Sequence, residues 1–138
     1  MELYNDAAVY IGTREIKCPV CGRYTPLVGN WWLSKVKGGQ YAYMRPKVVD
    51  DRVEIEIVEG EKRGTPESNV RGRPQHVRCL LCGTNITTHN GEFYPKIALR
   101  DWNRKLEEYL NGRISLDDLK NSLARPRILV KVYIENKN

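Results

Sequence analysis

The amino-acid sequence predicts an α+β fold, and three observations carry that expectation. Two Cys-x-x-Cys-Gly turns stand far apart, at Cys18 to Gly22 and Cys79 to Gly83. Between them, Val53-Glu-Ile-Glu-Ile-Val58 alternates apolar and acidic residues with the period of a half-buried strand. After them, Ile97, Leu99, Trp102, Leu106, Tyr109 and Leu110 fall mostly on one face of a helix running from about Lys96 to Leu110.

The elements follow in order. Val9 to Lys17 reads as a strand entering the first cysteine turn, and Tyr24 to Val28 returns from it. Trp31-Trp-Leu33 followed by Ser34 to Lys37 suits a short helical turn or an irregular segment, ended by Gly38-Gly39. Tyr41 to Val49 and Val53 to Val58 form a hairpin about Asp50-Asp51. Gly60 to Arg73, rich in Gly, Pro, Ser and Asn, reads as a loop. Asn111-Gly112 caps the long helix. Ser115 with Asp118 makes a capping box for a shorter helix through Leu123, stopped by Pro126. Ile128, Val130, Val132 and Ile134 alternate in a closing strand.

With 138 residues the chain is expected to be one domain, with the cysteine turns and hairpin at about 9–90 and the helices and closing strand at about 91–136. No run reaches the ~20 apolar residues of a membrane span. The N-terminus lacks the basic start and apolar stretch of a signal peptide, so the expected setting is cytoplasmic. There, paired cysteines more often hold metal than form disulfides.

Each Cys-x-x-Cys turn places two thiolates one metal-ligand span apart. Gly22 and Gly83 allow positive φ, which frees turn amides to point at the sulfurs. Together Cys18, Cys21, Cys79 and Cys82 make the tetrahedral four-thiolate set that zinc prefers, a closed structural site with no open position for catalysis. The expected cofactor is therefore one structural zinc ion, and the expected frame is a zinc ribbon elaborated by an inserted β-hairpin. The 57 residues between the pairs exceed the ~15–20 of a minimal ribbon, consistent with an insertion. Two redox pairs or disulfides, or another metal, are the competing readings. His76 and His89 flank the second pair but are not needed to fill the tetrahedron.

The net charge is +6 and unevenly distributed. Residues 14–47 hold seven Lys/Arg against one Glu, residues 50–61 hold six Asp/Glu against Arg52, and residues 61–82 hold five Lys/Arg against two Glu. Trp31, Trp32, Tyr41 and Tyr43 interleave with Lys35, Lys37, Arg45 and Lys47. Aromatic rings beside cations are how single-stranded nucleic acid is held. One tryptophan is also expected in the core. Arg71, Arg73 and Arg78 lie in a basic stretch leading into the second cysteine pair, placed to contact phosphates. No phosphate-binding glycine loop, nucleophile–histidine pair or isolated acid pair is present, so the chain is not expected to be an enzyme on its own.

The order of blocks resembles a known family. Cys18-Pro-Val-Cys-Gly, Trp32-Leu-Ser-Lys35, Val53-x-Ile-Glu-Ile-Val-Glu-Gly60, Arg71-Gly-Arg73 and the second cysteine turn are similar to the zinc-ribbon segment of archaeal and bacterial adenine-specific DNA methyltransferases. Phe93 to Arg104 and Ala124 to Lys131 resemble its continuation. The Asn/Asp-Pro-Pro-Tyr motif and the S-adenosylmethionine site of those enzymes do not occur here. The resemblance implies a non-catalytic DNA-binding or specificity module, DNA more than RNA, that associates with a methyltransferase catalytic subunit. A protein-interaction adaptor, docking on such a core or on transcription machinery, is the alternative.

Overall fold

The computed structural model of the chain describes residues 7–35, 41–60, 64–72 and 76–133. The element order is β1 (Ala7–Lys17), β2 (Tyr24–Pro26), β3 (Trp32–Lys35), β4 (Tyr41–Val49), β5 (Arg52–Glu59), β6 (Val70–Arg71), β7 (His76–Val77), β8 (Thr88–His89), β9 (Glu92–Phe93), α1 (Tyr94–Leu110), α2 (Leu116–Lys120) and β10 (Ala124–Tyr133). The fold is α+β, as expected. There are two three-stranded antiparallel sheets, β10-β1-β2 and β3-β4-β5, and two two-stranded ones, β6-β7 and β8-β9.

The closing strand starts at Ala124, ahead of Pro126, and pairs along β1 with Ile16 opposite Ala124 and Arg14 opposite Pro126. Pro126 was expected to stop the second helix, yet that helix ends at Lys120 and the proline lies inside a strand. A proline is tolerated there because β10 is the sheet edge, where one row of ladder bonds is absent anyway. Pro46 in β4 follows the same rule: β3 pairs only with the Tyr41–Tyr43 end, so at Pro46 the strand has β5 alone.

The helical turn considered at Ser34 to Lys37 is a strand at Ser34 and Lys35, opposite Ala42 and Tyr41, with residues 36 and 37 outside the described residues. Cross-strand aromatic packing outweighs local propensity here, because Trp32 meets Tyr41 and Tyr43 edge-on at ring separations of 6.0 and 5.7 Å. The alternating stripe of β5 is buried only at its start. Val53 is inaccessible, whereas Ile57 is 49% exposed, because the hairpin runs out past the core.

Two clusters form the interior. Ile16, Val77, Ile86, Tyr94, Ala98 and Ala124 pack around Cys18 and Cys79. Val28, Trp31, Met44 and Val130 make the second. The long helix enters at Tyr94 with Pro95 in its first turn, a residue that needs no amide there. Its Tyr94 hydroxyl donates to the Lys17 carbonyl, tying the helix start to the strand that feeds the first cysteine turn. In the shorter helix the expected capping box is present: Ser115 Oγ accepts from the Asp118 amide and Asp118 Oδ2 from the Ser115 amide, both at 3.1 Å.

Candidate metal centre and basic surface

The cysteine turns are built alike. In the first, the Cys18 amide donates to the Arg23 carbonyl (2.8 Å) and the Gly22 amide to the Cys18 carbonyl (2.9 Å). In the second, the Cys79 amide donates to Thr84 and the Gly83 amide to Cys79, both at 2.9 Å. Closing each turn requires positive φ after the second cysteine. Gly22 at 73° and Gly83 at 75° meet that need, where a side chain would be strained. The Val20 and Cys21 amides then point at Cys18 Sγ, at 3.4 and 3.5 Å.

The folded chain brings the two turns face to face. Cys18 Sγ lies 3.7 Å from Cys82 Sγ, and Cys21 Sγ lies 3.8 Å from Cys79 Sγ. All four sulfurs fall within 4.8 Å of one another. Zinc–sulfur bonds of ~2.3 Å in a tetrahedron separate the sulfurs by about 3.8 Å, so the set fits the ion. Each turn contributes both its sulfurs to a cluster that the other completes. The four cysteines thus form one zinc-binding site rather than two redox pairs, and none is in a disulfide.

The electrostatics are uneven across the site. Burial pushes the Cys79 thiol up to about 12 and raises Cys18 as well. Hydrogen bonding to Thr84, whose Oγ1 is 3.2 Å from Cys82 Sγ, holds exposed Cys82 down to about 6. The two buried thiols would keep their protons without a cation, and a metal ion has to displace them. Arg23 supplies a counter-charge: its guanidinium hydrogen-bonds Cys21, which raises its pKa further.

Polar ties that have no local sequence signal hold the two turns in position. Fully buried Asn69 accepts from the Val28 amide (2.9 Å) and donates to the Pro26 (2.7 Å) and Arg78 (3.1 Å) carbonyls. Thr25 Oγ1 accepts from the Leu80 amide at 3.0 Å. Buried Glu15 receives Arg125 Nε at 2.6 Å and Arg127 Nη1 at 3.2 Å. These pairings span the chain, and only Arg23, adjacent to Gly22, was within reach of motif reading.

The expected nucleic-acid contacts are distributed unequally. Trp31 is 1% exposed, its indole donating to the Glu67 carbonyl at 3.1 Å, so this is the core tryptophan of the pair. Trp32 is half-buried at the edge of the tyrosine cluster. Arg45 is paired across the hairpin with Glu56, and Lys47 stands opposite Glu54. The β4–β5 register therefore lays the last two cations of the basic block against acids of the block that follows. Lys35 sits in β3 with its side chain outside the described residues, as are Lys37 and Arg73.

Arg71 and Arg78 come together on the β6–β7 hairpin. Arg71 pairs with His76, and strand alternation puts Arg78 on the same face as His76. These three line a cleft of about 190 Å³ with Ser68, Asn69 and Asn85. Arg71 shares an exposed ion pair with Glu67 at 3.1 Å; among the described residues Arg78 has no acidic partner. Among the described residues no helix is long and apolar enough to cross a membrane. No family model, curated protein or solved structure matches this chain.

Proposed function

We propose that this zinc-held chain is a nucleic-acid-binding or specificity module, for DNA more than RNA, that works in the cytoplasm and is not catalytic alone. The observation that carries the reading is the cleft where Arg71, His76 and Arg78 converge one residue from the Cys79 ligand. Zinc-fixed backbone carrying a cluster of cations offers phosphates a rigid, pre-formed partner. Lys35, Lys37 and Arg73 would extend the contact, and Trp32 would stack on a base. Relation to the ribbon of adenine-specific DNA methyltransferases, and service to a catalytic subunit of that kind, are part of the same proposal. The support is the block order described above.

The test is fluorescence anisotropy of the zinc-loaded chain with duplex and single-stranded DNA and RNA across a salt series. Three or four phosphate contacts give a log–log slope near −3 on duplex, about a 60-fold loss between 50 and 200 mM salt. The double variant R71Q/R78Q should lose roughly two of those slope units. Absent or salt-insensitive binding to every substrate refutes the proposal. An adaptor role has one observation in its favour: Leu110 is 73% and Leu116 47% exposed at the α1–α2 corner. Co-purification of a partner lost on Leu110→Ser would favour that reading.

A further inference from the structure

A larger cleft, of about 500 Å³, opens beside the start of α1 and shares Val77 with the Arg71–Arg78 cleft. Its size is in the range of clefts that enclose small organic groups. Leu27, Val70, Val77 and Leu99 form an apolar lining, and Phe93, 36% exposed, stands at the edge. Leu27 is held at both backbone ends: its amide donates to the Arg14 carbonyl at 2.9 Å and its carbonyl accepts from Thr13 Oγ1 at 2.5 Å. Phe93 is fixed by pairing with Thr88 in β8–β9. The lining thus comes from strands and the helix, with Leu27, just past β2, tied to β1 by these bonds.

The rim is cationic. Arg14, from β1, and Lys96, from α1, both line the cleft. Arg100 continues the line one helical turn beyond Lys96, about 6 Å along the axis, beside the same Phe93 ring. Glu92 is the acid facing this group. Among the described residues Arg14, Lys96 and Arg100 have no ion-pair partner, unlike Arg45 and Arg71. Thr13, the uncharged polar side chain on the lining, is already engaged by Leu27. The floor therefore offers no side-chain hydrogen-bond pattern to read and accepts a flat apolar face of any identity.

We infer that this cleft is a stacking pocket for an unpaired base of single-stranded nucleic acid, with Phe93 as the platform and Arg14, Lys96 and Arg100 holding the adjoining phosphates. An aromatic platform between cations, without base-edge readout, is the arrangement that binds single strands with little sequence preference. A paired base cannot leave its stack to enter such a cleft without cost, so a duplex is the poorer ligand. The inference rests on the reading of the chain as a nucleic-acid binder but uses other cations and a ring that the Arg71–Arg78 cleft lacks.

The experiment measures anisotropy of the zinc-loaded chain with labelled oligothymidylate and oligouridylate of about 15 nucleotides. The F93A variant should bind about 5- to 100-fold more weakly and F93W close to wild type, because stacking needs a ring rather than a particular one. The K96Q/R100Q variant, changed at exposed helix positions, should lose about 1.4 units of salt slope on single strands, and it keeps the test open if F93A does not fold. Zinc content and circular dichroism identify folded variants. If R71Q/R78Q weakens binding while F93A and K96Q/R100Q leave it within twofold, the pocket is overturned and the proposed function stands. If neither oligonucleotide binds wild type, the pocket is overturned, and the proposed function falls with it only where duplex DNA and RNA also fail to bind. Binding of polyglutamate in place of oligonucleotide also overturns the inference, in favour of a peptide groove.

Discussion

Removal of the metal is the perturbation whose size is best defined by the structure. The site cross-links two turns with 57 residues between Cys21 and Cys79. Treated as the closure of a loop of that length, the link removes about 4 kcal/mol of unfolded-chain entropy. Domains of this class are stable by only ~5–15 kcal/mol, and the lost metal–thiolate bonds add to the entropic term. At roughly 3–5 °C per kcal/mol for a chain of this size, the melting temperature should fall by at least about 10 °C. Thermal melts followed by circular dichroism would compare wild type, wild type with chelator, and Cys82→Ser. Cys82 is the exposed vertex, so its replacement breaks the site without burying a new hydroxyl, as Cys79→Ser would. Chelator should move wild type to the Cys82→Ser value and leave the variant unmoved, and metal analysis should give one zinc per chain. A melting temperature within about 2 °C in chelator would refute the clasp.

Asp101 accepts from the Leu123 amide at 2.8 Å and pairs with Lys105 at 3.2 Å and Arg104 at 3.0 Å. Partial burial alone would raise its pKa, but those three donors together lower it. A carboxylate depressed in the folded state stabilises fully above its unfolded pKa of ~4 and loses that contribution as pH falls through the folded value. Asp101→Asn should therefore cost about 1–2 kcal/mol at neutral pH, with the gap to wild type closing below pH ~4 in urea titrations. Glu15→Ala strands two partly buried arginines and should cost about 2–4 kcal/mol by the same titration. Trp31→Ala empties a core site and should cost about 3–5 kcal/mol without a separate effect on nucleic-acid affinity in the fraction that stays folded. Arg45→Gln should change affinity less than twofold where Arg78→Gln changes it severalfold, because Glu56 already balances Arg45.

What could be read from the chain was local. The helix stripe, the Ser115–Asp118 box and the glycine after each cysteine pair act within a few residues, so their geometry is written in adjacent letters. The four ligands were also legible, because each pair declares itself by spacing and the residues between need only let the pairs meet. The long β1–β10 ladder joins segments more than a hundred residues apart, and neither strand carries a mark naming its partner. Asn69 shows the same limit. It sits in a stretch whose composition says loop, yet its amide satisfies three backbone groups in the interior.

Charge was the most misleading guide, and register explains why. A run of cations at 14–47 and a run of acids at 50–61 suggest two separated fields when plotted along the chain. The Asp50–Asp51 turn folds the end of the first onto the second, so Arg45 meets Glu56 and Lys47 stands opposite Glu54, and those two cations are offset by acids. The cations left over are those whose strand partners carry no acid: Arg14 faces Pro126, and Arg78 bridges to Asn85. Lys96 and Arg100 join them on the helix. An unbalanced charge on a rigid element is worth more to a polyanion than a denser cluster that its own fold has neutralised. Arg78 immediately precedes a zinc ligand, so the metal that holds the fold also holds this charge in place, and losing it should weaken nucleic-acid binding before the domain has melted.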